Sequence, residues 1–183
     1  MNIIKIILQS ISIRQLIITT IIIASCALLS IKNTSENLSK LHETSFQNIS
    51  PFIDRKAFLL DQLNQLNNTP KPLSLRKKFK KTKFPRSQLL FLEKLKHYEP
   101  QLNKKITTLS TRQQKKAKPL QHALNSNEKQ LQLHLAKYQA HAQAFNTLYN
   151  KKSYQLFFKL IPYPKAPEVN PNLLSIKTLI IKS

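Results

Sequence analysis

Residues 119–158, PLQHALNSNEKQLQLHLAKYQAHAQAFNTLYNKKSYQLFF, decide the fold class. Within them Leu120, Leu124, Leu131, Leu135, Tyr138, Ala142, Phe145, Tyr149 and Leu156 recur at spacings of three, four or seven residues. A helix returns to the same face every 3.6 residues, so this spacing draws one apolar stripe along a single long helix. Pro119 suits the first turn of a helix, where its missing N–H costs nothing, and the spacing predicts a start there.

Two further segments upstream carry the same signal. Residues 87–116 place Leu92, Leu95, Leu102, Ile106 and Leu109 on one face, with Ser87 as N-cap and a kink or split expected at Pro100. Residues 33–68 align Leu38, Leu41, Ile49, Phe52, Leu59, Leu63 and Leu66, with Ser50-Pro51 as a cap-and-start pair that divides the segment in two. Three long amphipathic segments, the first divided, predict an all-α chain: an elongated antiparallel bundle of three or four helices. Composition agrees. The chain of 183 residues has no Gly, where average usage would give roughly a dozen. A chain without Gly holds no phosphate-binding loop, dinucleotide fingerprint or nucleophile elbow.

The N-terminus is different in kind. Lys5 and Arg14 precede an uncharged run, residues 15–31, dominated by Leu16, Ile17, Ile18, Ile21, Ile22, Ile23, Leu28 and Leu29. A spanning helix wants about 20 apolar residues, which this run reaches if Ile11 and Ile13 extend it and Arg14 snorkels. The alternative is a secretory signal. Cys26, the single cysteine, closes Ile23-Ala24-Ser25-Cys26, which resembles the lipobox of bacterial lipoproteins. Residues 1–32 are therefore a membrane anchor or a lipoprotein signal with Cys26 as the lipidation site. Both place the bulk of the chain outside the cytoplasm. Lys5 and Arg14 on one side of the run, against Lys32, Lys40 and Glu36 on the other, lean the same way.

Charge sets the partners. Thirty Lys and Arg against eight Asp and Glu give a formal charge of +22. Such an excess attracts anionic lipid, envelope polymers or nucleic acid. The excess is densest in residues 69–86, where Pro70, Pro72 and Pro85 flank Arg76, Lys77, Lys78, Lys80, Lys81 and Lys83, with Phe79 and Phe84 interleaved. This is a basic loop or a short surface helix. It is either an anion- or partner-binding patch, with the two Phe rings entering a lipid interface or stacking on bases, or a solvated linker. Residues 161–183 form a Pro-rich irregular tail, with Pro162, Pro164, Pro167 and Pro171 forbidding regular helix. Its closing apolar run, residues 173–181, reads as a strand-like tail or a short helix covering the bundle.

Little in the sequence points to catalysis. His134 and His141 lie seven apart and share a helix face, but they lack the zinc-binding i, i+4 spacing and an intervening acid, so they read as surface histidines. The acids are scattered, and no two suggest general acid–base work. Asp54 and Asp61 read as solvent-facing partners for Arg55, Lys56 or the basic segment. No metal and no cofactor are expected, and no enzymatic activity.

One family resemblance runs through residues 33–168. Phe46, Ile49, Ile53, Arg55-Lys56, Leu59-Leu60 and Leu63 resemble the first-helix signature of the LemA family. Leu95-Lys96-His97-Tyr98 through Thr111-Arg112, Asn127-Glu128 to Leu131-Gln132-Leu133, Tyr149-Asn150, and the closing stretch from Phe158 to Pro164 resemble later stretches of that family. Lys56 stands where the family has a second Arg, His97 where Gly is usual, and the basic stretch 69–86 looks like an insertion. The resemblance implies a long helical bundle, membrane attachment and no established catalytic residues. The start of the chain and its first helix also resemble the extracytoplasmic four-helix sensor domains of chemoreceptors. The expected function is a non-enzymatic membrane-anchored scaffold or adaptor of the bacterial envelope, with a sensor-type domain or a basic nucleic-acid- or membrane-surface-binding protein as alternatives. The expected partners are the lipid bilayer, a protein partner or a second copy, and an anionic lipid or polymer, ahead of nucleic acid.

Overall fold

The structure is a computed structural model that describes residues 13–66, 74–161 and 163–174, apart from the side chain of Leu156. Lys5, Pro70, Pro72 and the run beyond Leu174 lie outside the described residues. Among those described there is no strand; the chain is all-helical. The helices are α1 (Ile13–Gln47), α2 (Ser50–Gln65), α3 (Leu75–Phe79), α4 (Pro85–Thr107), α5 (Thr111–Asn150), α6 (Lys152–Leu160) and α7 (Pro171–Leu174).

Helix α1 runs without a break from the apolar stretch into the packed part of the chain. Residues 13–30 are exposed throughout. From Ile31 onward one face is covered, with Ser35 fully buried and Leu38 packed on the core. The hydroxyls of Thr19, Thr20, Thr34 and Ser35 each donate 2.8 Å bonds to the carbonyl four residues back, so these groups are satisfied within the helix. Helix α2 follows after a turn at Asn48 and Ile49, with Pro51 in its first turn, where proline is tolerated.

The long helix α5 is antiparallel to α1 and α2, and its contacts keep step along the way. Gln113 reaches the Leu66 carbonyl, Glu128 meets Lys56, Tyr138 packs edge-on against Phe46, His141 meets Ser45, and Phe145 lies 5.1 Å from His42. Helix α4 packs on α2. The shared core is built from the expected stripes: Ile49, Leu59, Leu63, Leu92, Leu95, Leu102, Leu124, Leu131, Leu135, Tyr138, Ala142 and Phe145 are all buried. Ile53, Ala57 and Leu60 widen the α2 stripe. Leu41, expected in the stripe, is 44% exposed instead.

The helix boundaries differ from those expected at Pro85, at Pro100, at Ser110 and at Lys151, where an extended residue breaks the expected 119–158 helix into α5 and α6. Helix α4 begins at Pro85 rather than after Ser87, because the fixed φ of proline is already helical and Phe84 before it is extended. Pro100 lies inside α4 without splitting it. The next helix starts at Thr111, not Pro119. Gln113 reaches back to the Ser110 backbone N–H at 3.3 Å and its hydroxyl at 2.9 Å, closing a capping box that starts α5 early. Pro119 then sits within α5. It and Lys115, whose carbonyl loses its helical donor, are exposed, so water can take the lost bond.

The segment after α6 is ordered by side chains of α5 rather than by its own backbone pairing. Asn146 accepts from the Ala166 N–H and donates to the Ala166 carbonyl, both at 3.0 Å. The Tyr138 hydroxyl donates to the Pro167 carbonyl at 2.6 Å, Gln139 accepts from Val169 N–H at 2.7 Å, and Gln132 donates to the Leu173 carbonyl at 2.6 Å. Lys96 of α4 donates to the Asn172 carbonyl. A proline-rich segment cannot satisfy its own carbonyls, and α5 supplies the donors.

Candidate functional site

The basic segment is organised by two aspartates of α2. Asp61 accepts the backbone N–H groups of Leu75 and Arg76 at 2.9 and 3.0 Å, capping α3 from another helix. Seven residues earlier on the same face, Asp54 takes the Arg76 guanidinium in a forked contact, with Nε at 3.1 Å and Nη2 at 2.9 Å. That hydrogen bond, with the charge of Asp54 behind it, raises the Arg76 pKa. Arg76 also stacks over the Phe58 ring at 5.1 Å.

The candidate contact residues separate into two groups. Leu75 and Phe79 are buried, Phe79 lying 5.5 Å from Phe91 in the core. Phe79 is therefore a peg that fixes the segment, not a ring offered to lipid or bases; the amphipathic pattern of a single helical turn turned it inward. Lys77, Lys78, Lys80, Lys81 and Lys83 are exposed, and Phe84 is 71% exposed. Lys83 borders an open cavity of about 280 Å³, with His42, Phe46, Ser50, Gln88 and Tyr138 among its other walls. Cys26 is exposed on the apolar stretch of α1 and is a free thiol.

The second constellation was missed. Lys56, taken from sequence as a solvent-side partner of the aspartates, is 1% exposed. Its ammonium lies 2.6 Å from Glu128 of α5 and 2.9 Å from Glu99 of α4. Burial pulls its pKa down, but the charges and hydrogen bonds of Glu128 and Glu99 together outweigh burial, and the pKa is raised. Glu128 also accepts a 3.0 Å bond from Gln132. The signal was present: Glu99 falls between Leu95 and Leu102, and Glu128 between Leu124 and Leu131, both on apolar stripes. Two acids and one base on facing stripes of three helices ask to be paired.

The histidines also differ from the surface reading. His134 stacks on Phe52 at 4.8 Å, and His141 shares a 2.6 Å hydrogen bond with Ser45 Oγ. Both are half-buried in the seam between α5 and the first two helices. Among the described residues no three His, Cys, Asp or Glu side chains group as metal ligands. Helix α1 is long and apolar enough to cross a membrane or to serve as a signal sequence. Comparison of the chain with protein-family models, curated proteins and solved structures gave no match.

Proposed function

We propose that the chain is a non-enzymatic scaffold or adaptor of the bacterial envelope, held in the membrane by the N-terminal part of α1, with a LemA-like helical bundle carried outside the cytoplasm. The observation that carries this reading is the continuity of α1. Its first eighteen described residues bury nothing, while the same helix then enters the core. Residues 13–31 span roughly 28 Å at 1.5 Å per residue, close to the ~30 Å hydrocarbon thickness of a bilayer. Leaving the nine exposed Ile and Leu side chains of this run in water would be costly, and a bilayer removes that cost.

The contact face of the scaffold is the lysine group on and after α3. Phe79 and the Asp54–Arg76 pair hold it, leaving Lys77, Lys78, Lys80, Lys81 and Lys83 for an acidic partner protein or anionic polymer. For a helix continuing straight from the bilayer, the neighbours of this segment, His42 and Asp54, lie about 18 and 36 Å beyond Ser30. That height favours a partner in solution over the headgroups around α1. The reading is tested by alkaline carbonate extraction of membranes containing the full chain: it stays in the pellet, and release into the supernatant would remove the anchor.

A further inference from the structure

Helix α4 begins at Pro85, and a notch lies between its first turn and the end of α1. Phe46 of α1 packs edge-on against Tyr138 of α5, and the Tyr138 hydroxyl holds the Pro167 carbonyl of the tail at 2.6 Å. These residues and Pro85 give the notch its apolar walls. The result is the open cavity of about 280 Å³, just below the roughly 300–1,000 Å³ of sites that take drug-sized ligands. That is a size for a single amino acid rather than a nucleotide.

The polar walls carry opposite charges that do not meet. Lys83 comes from the residues just before α4, and Glu43 comes from α1. Among the described residues neither takes part in an ion pair, and Glu43 accepts a 3.1 Å bond from the Ser39 hydroxyl. Gln88 is a third polar wall. Its Nε2 donates to the Thr82 carbonyl at 3.1 Å, while its Oε1 is buried without a donor. A buried acceptor left unmet is costly, and a ligand that brings an N–H removes the cost. A cation, an anion and an orphan acceptor around a small, partly apolar cavity ask for one chemistry. The ligand carries a carboxylate, an ammonium and an apolar body. We propose that this cavity binds a free amino acid with an apolar side chain. Its carboxylate pairs with Lys83, its ammonium with Glu43 and Gln88, and its side chain lies against Phe46 and Pro167. Bound there, it joins α1, the start of α4 and the tail. The site goes beyond the scaffold reading and lies in the packed part of the chain, so it stands whether or not α1 spans a membrane.

The test melts the full-length protein in detergent micelles, followed by far-UV circular dichroism, with each of the twenty L-amino acids in turn. A ligand that binds the folded chain alone raises the midpoint, by about 5–10 °C at a hundred-fold excess over its Kd. One or more of the apolar amino acids does so, and glycine does not. Titration calorimetry then compares the binder with its N-acetyl and carboxamide derivatives, each of which binds at least about ten-fold more weakly. Glu43→Gln weakens the free amino acid but not the N-acetyl form, and Lys83→Gln weakens it but not the carboxamide. Both side chains are exposed, so the midpoints without ligand stay in place. Gln47→Trp, at an exposed wall residue, blocks binding. No shift with any of the twenty would overturn the proposal. Binding indifferent to Glu43→Gln, Lys83→Gln and Gln47→Trp would put the ligand elsewhere and overturn it as well. A carboxamide or N-acetyl derivative that binds as tightly as the free amino acid would overturn the paired-charge recognition.

Discussion

The ammonium of Lys56 lies 2.6 Å from a carboxylate oxygen of Glu128, with the lysine side chain 1% exposed. Glu99 holds the same nitrogen at 2.9 Å, so one cation ties α2 to both α4 and α5. Breaking a buried pair by removing one partner strands the other charge, which costs about 3–5 kcal/mol. Lys56→Ala is expected to lose stability on that scale in urea denaturation. Replacing all three groups by apolar ones, Lys56→Met with Glu99→Leu and Glu128→Leu, is expected to recover most of the loss. An alanine variant as stable as the parent would show that the triad contributes nothing.

The same group sets an alkaline limit. The Lys56 pKa is raised above the ordinary 10.5, and burial raises the pKa of the Tyr138 phenol above the ordinary 10.0. Both groups keep their protons in the folded state where the unfolded chain has lost them. Their contribution is complete below the unfolded values and falls as pH rises through the folded ones. The denaturation midpoint should hold from neutral pH to about 10 and then drop. Lys56→Met with Tyr138→Phe should flatten that drop. A parent protein whose midpoint is level across this alkaline window would contradict the sign of both shifts.

Asp61 reaches α3 only through two backbone N–H groups. Asp61→Ala removes a cap in trans, an effect of about 0.5–2 kcal/mol by analogy with helix caps. Trypsin should then cut at the lysines from Lys77 to Lys81 faster than in the parent, and the Leu75 and Arg76 amides should exchange faster. Unchanged cutting would mean that Phe79 alone holds the segment.

Lys77, Lys78, Lys80, Lys81 and Lys83 carry charge without buried contacts. Changing all five to Gln should leave the urea midpoint nearly in place. Retention on an anionic matrix should weaken and depend less on salt, because fewer counterions are displaced. A change in stability without a change in retention would make these lysines part of the fold.

Cys26 gives a fifth check. The intact mass of membrane-extracted protein, read beside Cys26→Ser, should be that of the uncleaved and unmodified chain. A mature chain starting at Cys26 and carrying acyl groups would make the protein a lipoprotein and end α1 as a span.

Asn146 accepts from the Ala166 N–H, donates to the Ala166 carbonyl and donates a third bond to Glu168. Its loss in Asn146→Ala leaves the buried N–H and carbonyl of Ala166 without these partners, at about 1–3 kcal/mol per group. The tail should lift first, seen as faster tryptic cleavage after Lys165 in a protein whose other sites stay protected. Equal cleavage at all sites would mean that the tail and the core unfold as one unit.

The sequence by itself determined the helices, the apolar N-terminal run and most core positions. Periodicity is a local property, and Leu92, Leu95, Leu102, Leu124, Leu131 and Leu135 declare their faces within a few turns. The basic segment was visible for the same reason, as an uninterrupted charge run between prolines. Helix ends were less legible, because a proline at Pro119 and a capping box at Ser110 compete and only the energies of both turns decide. What the tertiary structure alone decided is everything that joins distant residues: Lys56 between two helices, Phe79 turned inward, and a tail held by Asn146 and Tyr138. Those outcomes depend on which surfaces meet after the helices form. No single helix carries that information, since a charged side chain is stable on a stripe only when its counter-charge arrives from another segment.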